Sequence, residues 1–213
     1  MHTYKGTSFA EAYQKSLIDL FDNGDLCETR GTTSKELLNV SLEITDPSQC
    51  MYTNMTRSTQ TKYIAAELLW YYAGRNDVAF ISKYAKFWEQ IQNPNGTVNS
   101  AYGNLIFKPK SLGGITQYEW AIASLAKDKD SRQAILHFNT PEHQYSGNKD
   151  FVCTMYANFF IRHNILHMKV QMRSNDVVFG YKNDYAWQKQ VLVDLAADLN
   201  KEKPNNHIGL GDI

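Results

Sequence analysis

Three groups of reactive side chains follow one another in the last third of the chain. They are the thiol of Cys153, the run Arg173-Ser174-Asn175-Asp176 and the pair Asn183-Asp184. A cysteine thiolate is a strong nucleophile, and the planar guanidinium of arginine suits bidentate binding of phosphate. A nucleophile beside a fixed cation indicates a site for covalent chemistry on a phosphorylated substrate.

Two predicted strands must bring the thiol and the arginine together. In Ile165–Met172 apolar and polar residues alternate, and this period of two predicts a strand. The run 155–161 is also strand-like, and 162–164 has the composition of a turn. Paired strands of similar length would place Cys153 and Arg173 at the same end of a sheet.

The spacing and identity of these residues resemble the thymidylate synthase family. In that family a catalytic cysteine is followed at fixed distance by an Arg-Ser-x-Asp cluster, a glycine and an asparagine that reads the base. Cys153, the run 173–176, Gly180 and Asp184 stand at those places. Asp184 departs from the synthase pattern and resembles the family's phage-type deoxycytidylate hydroxymethylase branch. Thr154 departs too, because most synthases have histidine there.

The resemblance implies one-carbon transfer to C5 of a pyrimidine nucleoside monophosphate, with 5,10-methylenetetrahydrofolate as co-substrate. Cys153 would add to C6 of the ring, and Glu67, in the segment ELLW, would move protons with the help of water. Tyr102 and Asp184 complete the implied catalytic set. The implied substrate-binding set is Arg30, Arg132, Arg173, Ser174, Asp176 and Asn158, with Arg132 reaching the phosphate of the partner subunit.

Several of these residues also have a plainer interpretation. Glu67 could lie on the wet side of its helix, and Tyr102 could be a core aromatic. Asp184 could be only the N-cap of the helix that follows it. Cys153 could be a small buried hydrophobe, and Arg30 an ordinary surface arginine. The alternatives differ mainly in burial and in neighbouring groups.

Asp184 bears on the identity of the base. Cytosine presents an amino donor at N4 and an acceptor at N3, whereas uracil presents an acceptor at O4 and a donor at N3. An ionised carboxylate only accepts hydrogen bonds, so it suits the cytosine amino group and opposes uracil O4. The expected substrate is therefore dCMP and the expected product 5-hydroxymethyl-dCMP. The alternatives are a thymidylate synthase that methylates dUMP and a non-catalytic nucleotide-binding or dimerising remnant.

Composition restricts the class of protein. The chain has 213 residues with 22 acidic and 22 basic side chains, so its formal net charge is zero. That balance predicts no basic surface for nucleic acid, and no apolar run reaches the roughly 20 residues of a membrane span. The three cysteines show no metal-binding spacing. We therefore expect no metal, and a reducing cytoplasm, that of the host if the protein is phage-encoded.

The same patterns predict one α/β (α+β) domain over 1–213. Helical spacing is present after Thr7 or Ser8, over 62–74, 78–88 and 115–127, and after Asp184, while 40–44 and 134–138 are predicted strands. The resemblance implies a two-layer fold with a mixed sheet, helices on one face and a homodimer formed sheet against sheet. It ends near residue 200, so we expect the family's C-terminal strands to be missing, as in a truncated chain.

Overall fold

A four-stranded sheet forms the frame of the chain, and helices cover one of its faces. The structure is a computed structural model that describes residues 1–29, 31–49, 52, 60–108, 113–205 and 207–213. Its elements in chain order are β1 (His2–Gly6), α1 (Phe9–Asn23), β2 (Asp25–Thr29), β3 (Thr32–Glu36), β4 (Val40–Ile44), α2 (Thr61–Tyr72), α3 (Val78–Ile81), α4 (Phe87–Ile91), α5 (Tyr102–Phe107), α6 (Gln117–Lys127), β5 (Ile135–His137), a 3-10 turn (Pro141–His143), β6 (Thr154–Arg162), β7 (Ile165–Met172), α7 (Tyr181–Glu202) and β8 (Gly209–Leu210). Among the described helices, none is long and apolar enough to cross a membrane.

Strands β6 and β7 form an antiparallel hairpin, as the alternation of apolar and polar residues predicted. The register places Thr154 opposite Met172 and Arg162 opposite Ile165. The turn residues 163–164 both have positive φ, 52° and 60°. Two successive residues of this kind are typical of a type I′ turn, which matches the twist of the strands and fixes their register.

The four-stranded sheet is mixed and has one apolar face. Its order is β5-β6-β7-β8, with β8 parallel to β7 and the other neighbours antiparallel. The side chains of β6 and β7 that are fully buried on the apolar face are Ala157, Phe159, Ile161, Leu166 and Met168. They pack in one core with residues of α2, α5, α6 and α7. Burying a Phe or Leu side chain contributes about 1.5–3 kcal/mol, so this core holds the helical layer on the sheet.

A smaller unit packs around α1. Strand β1 pairs in parallel with β4, and α1 lies against both. The helix has Ser8 as its N-cap, whose hydroxyl accepts from Glu11 N at 3.2 Å, and Gly24 follows its last residue, as predicted. Phe9 stacks on Tyr185 of α7 with ring centroids 4.5 Å apart. This contact fastens the smaller unit to the long helix.

Several elements differ from the predictions, among them strand β1 and helix α5, which were not predicted. The segment 78–88 is not one helix: α3 ends at Ile81, and a short-range bond from Tyr84 N to Ile81 O tightens the chain before α4. The hairpin β2–β3 was not predicted, because its largely exposed residues do not alternate in hydrophobicity. Strand β8 follows α7, where we expected no strand, and pairs Gly209 with Ile165.

Candidate active site

Cys153 and Arg173 lie at the same end of the hairpin, as predicted. Cys153 immediately precedes β6, Arg173 immediately follows β7, and Arg173 N donates to Cys153 O at 2.9 Å. Two backbone carbonyls hold the guanidinium: Nε donates to Val152 O at 2.9 Å and Nη2 to Phe151 O at 2.7 Å. Nη2 also lies 3.7 Å from Cys153 Sγ. The hairpin therefore fixes a cation against a thiol.

Arg173 also borders an open pocket of about 430 Å³. The lining residues are Gln144, Tyr145, Gly147, Asn148, Phe151 and Arg173. The guanidinium carbon of Arg173 lies 5.1 Å from the centroid of the Phe151 ring, which supports one side of the cation. Ser174 follows Arg173 and is exposed. An anion that enters this pocket meets the cation without displacing core residues.

Tyr102 begins α5 and contacts the backbone next to the thiol. Its hydroxyl oxygen accepts from Thr154 N at 3.2 Å, and its ring packs on Trp187 with centroids 4.9 Å apart. Burial raises the pKa of Tyr102 well above its usual value, and the charges of Asp184 and Cys153 act in the same direction. Tyr102 is thus a core aromatic and also a neighbour of the cysteine, so the two interpretations are compatible.

Glu67 is buried in the middle of α2, with only 5% of its surface exposed. The alternative that places it on the wet side of the helix is therefore wrong. Burial raises the pKa of Glu67 to about 7, and the negative charge of Asp184 acts in the same direction. The hydrogen bonds from Tyr63, at 2.7 Å, and from Tyr71 lower this pKa. A carboxyl with this pKa can both release and accept a proton near neutral pH.

Asp184 lies in the first turn of α7 and is not its N-cap. That place belongs to Gly180, because the chain enters the helix four residues earlier than the sequence predicted. The carboxyl accepts from Trp187 Nε1 at 3.4 Å and from Asn175 Nδ2 at 3.3 Å. Burial raises the pKa of Asp184 to about 6, the bonds from Trp187 and Asn175 lower it, and the charge of Asp176 raises it. The site thus holds a second carboxyl that titrates near neutrality.

The turn before α7 is held by Asp176. Its Oδ1 accepts from Val178 N at 2.8 Å and from Phe179 N at 3.0 Å. Its carbonyl accepts from Gly180 N and Tyr181 N, each at 2.9 Å. The geometry shows Asp176 supporting the turn that leads to the Asp184 helix, while its contact with the substrate stays a prediction.

Two residues of the predicted binding set, Asn158 and Arg132, lie apart from this cluster. Asn158 is five residues along β6, about 16 Å from Cys153 at the rise of a strand, on the face away from the main core. Arg132 is exposed just before β5, which runs antiparallel to β6, so it lies at the far end of the sheet from the thiol. Arg30 lies outside the described residues. In the part of the chain that the structure describes, no group of three or more His, Cys, Asp and Glu side chains could hold a metal ion.

The residues that hold the two carboxyls were not predicted from the sequence. Tyr63 donates to Glu67 and Asn175 donates to Asp184. Tyr63 could have been found, because residues four apart on a helix are neighbours on its surface. Asn175 was noted only as a member of the Arg-Ser-Asn-Asp run, and its contact depends on how the following turn folds.

The sequence of the chain is similar to those of known enzymes. A family model described as thymidylate synthase matches residues 11–212. Over 157 residues the chain is 40% identical to a deoxycytidylate 5-hydroxymethyltransferase of Enterobacteria phage T6, a match that spans 71% of this chain and 63% of the relative's length. It is 28% identical over 194 residues to a deoxyuridylate hydroxymethyltransferase of Bacillus phage SP01, which spans 84% of this chain and 49% of that protein.

A solved structure shares the fold. Thermostable thymidylate synthase A from Bacillus subtilis matches with a TM-score of 0.73 at 21% identity, over 97% of this chain and 79% of that one. The two-layer fold expected from the resemblance is confirmed by this match. With the family model covering nearly the whole length, the chain belongs to the thymidylate synthase family.

Proposed function

We propose that the chain transfers a one-carbon unit from 5,10-methylenetetrahydrofolate to C5 of dCMP and releases 5-hydroxymethyl-dCMP. The observation that carries the proposal is the partly buried carboxyl of Asp184, which stands where family synthases have asparagine and has its pKa raised to about 6 mainly by desolvation. The 40% identity to the phage T6 deoxycytidylate 5-hydroxymethyltransferase supports the same substrate.

The thiol of Cys153 is the proposed nucleophile. The aromatic C5 of the pyrimidine is a poor nucleophile until a thiolate adds to C6 and moves an electron pair to C5. The guanidinium Nη2 of Arg173, 3.7 Å from the sulfur, stabilises the thiolate form and offers its exposed side to the phosphate. After the C5–carbon bond forms, loss of the C5 proton expels the folate nitrogen and leaves an exocyclic methylene on C5. Water then adds to that carbon, and departure of the Cys153 sulfur from C6 restores the aromatic ring.

The co-substrate 5,10-methylenetetrahydrofolate supplies the one-carbon unit. Apolar side chains suit its flat ring system, and two exposed ones, Val178 and Phe179, lie in the turn that precedes Asp184. Glu67, whose pKa is about 7, is the proposed base that removes a proton from the water that completes the hydroxymethyl group. The overall reaction consumes one water and releases tetrahydrofolate.

Asp184 is the proposed reader of the base. Each of its oxygens accepts one bond inside the protein, from Trp187 or from Asn175, and a carboxylate oxygen can accept more than one. The ionised form accepts from the cytosine N4 amino group, and the neutral form also donates to N3. Because its pKa is about 6, both forms are accessible near neutral pH.

The test compares kcat/KM for dCMP and dUMP in the wild type and in Asp184→Asn. One buried polar group left without a partner costs about 1–3 kcal/mol, which is roughly a 5- to 150-fold preference. We expect the wild type to prefer dCMP by such a factor and Asp184→Asn to move the ratio towards dUMP. Asp194→Asn, an acid further along the same helix that pairs with Tyr72, is the control and should leave the ratio unchanged.

Preference of the wild type for dUMP, or an unchanged ratio in Asp184→Asn, would reject the proposal that Asp184 selects cytosine. A second candidate is then hydroxymethylation of dUMP, favoured by the 28% identity to the Bacillus phage SP01 relative. Methyl product from dUMP would indicate a thymidylate synthase. Nucleotide binding without turnover would indicate the non-catalytic remnant.

A homodimer is part of the proposal. On the sheet face away from the main core, Tyr156, Asn158 and Phe160 are only partly buried in one chain, so a second copy packed there would cover them. Arg132 cannot serve its own Cys153 from the far end of the sheet, whereas it can serve a partner's site. Gln133 stands where family members have a second arginine, so each phosphate meets one cation fewer from the partner subunit.

A further inference from the structure

A chain of hydrogen bonds joins three aromatic and acidic side chains beside the site. The indole Nε1 of Trp88 donates to the hydroxyl oxygen of Tyr63 at 3.1 Å. The Tyr63 hydroxyl donates to Glu67 Oε1 at 2.7 Å. Tyr63 and Glu67 are four residues apart on α2, while Trp88 comes from α4, so the chain of bonds ties two helices together.

The direction of these bonds is fixed by chemistry. An indole N–H can only donate, and an ionised carboxylate can only accept. While Glu67 is ionised, the Tyr63 oxygen accepts from Trp88 and its single proton must point to Glu67. Trp88 is itself held in place, because only 7% of it is exposed and its ring packs edge-on against Trp70 at 5.3 Å between centroids.

We propose that Tyr63 is a positioning residue for the reaction: it holds Oε1 of Glu67 from the protein side and so orients the carboxyl that exchanges protons with water and the base. This inference rests on the proposed role of Glu67 in one-carbon transfer. Tyr63 bonds to Glu67 on one side and to Trp88 on the other, so its proposed effect on the reaction passes through Glu67.

The other groups that face Glu67 come from three helices. Tyr71 on α2 donates to the carboxyl and lowers its pKa, while the charge of Asp184 on α7 raises it. Tyr102 on α5 packs against Tyr71 with centroids 6.0 Å apart. Against the large effect of burial, the Tyr63 hydrogen bond lowers the pKa of Glu67. Tyr63 therefore helps to keep this carboxyl in the range where it can exchange a proton near neutral pH.

The direct test measures the titration of Glu67 in the full chain. Carbon-13 NMR of protein labelled at glutamate Cδ follows each glutamate separately from the aspartates, and Glu67→Gln identifies the Glu67 signal. Tyr63→Phe keeps the ring and removes the donor, so the midpoint of the Glu67 titration should rise by about one pH unit. Tyr72→Phe is the control. Tyr72 lies on the same helix as Tyr63 but donates to a different carboxylate, that of Asp194 on α7, so this change should leave the midpoint of the Glu67 titration unchanged.

An unchanged midpoint in a folded Tyr63→Phe protein, or equal shifts in Tyr63→Phe and Tyr72→Phe, would overturn the inference. If Tyr63→Phe does not fold, Trp88→Phe replaces it: loss of the indole donor weakens the Tyr63 bond by cooperativity and should raise the midpoint by a smaller amount. An unchanged midpoint there overturns the inference equally.

Kinetics separate this inference from the proposed function. In Tyr63→Phe the ionisation of Glu67 seen in the pH profile of kcat should move upwards, with KM for dCMP within about twofold of wild type. A purely structural role would change stability but would not move the profile. If the wild type turns over neither dCMP nor dUMP, the proposed function fails, while the NMR titration still decides the role of Tyr63.

Discussion

Replacement of Glu67 by glutamine should change how stability depends on pH. Burial raises the pKa of Glu67 from 4.5 to about 7 in the folded protein. Between these two values the folded protein binds more protons than the unfolded chain, so the free energy of unfolding must fall as pH rises. The protonated form of Glu67 therefore gives its full stabilising contribution below about pH 4.5, and this contribution is lost as the pH rises through about 7.

The size of the effect follows from the two pKa values. Their difference, at about 1.4 kcal/mol per pH unit, corresponds to roughly 3 kcal/mol. Glu67→Gln removes this titration and keeps an oxygen that can accept from Tyr63. Between pH 4.5 and 8 the free energy of unfolding of the wild type should therefore fall by roughly 3 kcal/mol more than that of Glu67→Gln.

Urea unfolding at a series of pH values measures the difference. Glu36→Gln, on the exposed strand β3, makes the same change of charge at the surface and should follow the wild-type curve. Asp184 has its pKa raised from 3.8 to about 6 and acts with the same sign, so Glu67→Gln retains part of the slope. Parallel curves for wild type and Glu67→Gln would show that burial does not control this carboxyl and would refute the reasoning.

Three further predictions concern the nucleophile, the packing and the subunit contact. Cys153→Ser should abolish turnover while nucleotide binding, measured by calorimetry, persists; Cys27→Ser, remote in the hairpin β2–β3, should keep turnover. Gly103→Ala should cost several kcal/mol in urea unfolding, because the new Cβ would lie 2.1 Å from Tyr71 Cα, whereas Gly209→Ala meets its nearest atom at 4.0 Å and should be nearly neutral. Arg132→Ala mixed with Cys153→Ser should regain activity, since one site of the mixed dimer keeps both groups; no regain would place Arg132 outside the partner's site.

The sequence predicted the hairpin and the place of Cys153 and Arg173 at its end because these signals are local. A period of two over Ile165–Met172, followed at once by Arg173, is enough to place the arginine at the end of a strand. The helix around Glu67 was predicted for the same reason, since its apolar spacing lies within one segment. Local pattern and tertiary packing agree in these elements.

The parts that could not be predicted depend on contacts that the pattern of apolar and polar residues does not show. Trp88 meets Tyr63 across 25 positions of sequence, and nothing in either segment shows the pairing. Helix α7 begins before Asp184, earlier than predicted, because Gly180 N and Tyr181 N donate to the carbonyl of Asp176 and so add a helical turn. The helix predicted over 78–88 divides where Lys83 N donates to Phe80 O and Tyr84 N to Ile81 O, a tighter turn that the apolar spacing does not show.

The most direct test of the central claim is the identity of the product. The full chain is incubated with dCMP and 5,10-methylenetetrahydrofolate, and the nucleotides are analysed by mass spectrometry, with the protein digested in parallel to find a nucleotide on the Cys153 peptide. We predict a product heavier than dCMP by the elements of CH2O, bonded at C5, and a transient adduct on Cys153 that is absent from Cys153→Ser. A methylated product from dUMP alone, or hydroxymethyl product that forms equally well in Cys153→Ser, would contradict the account.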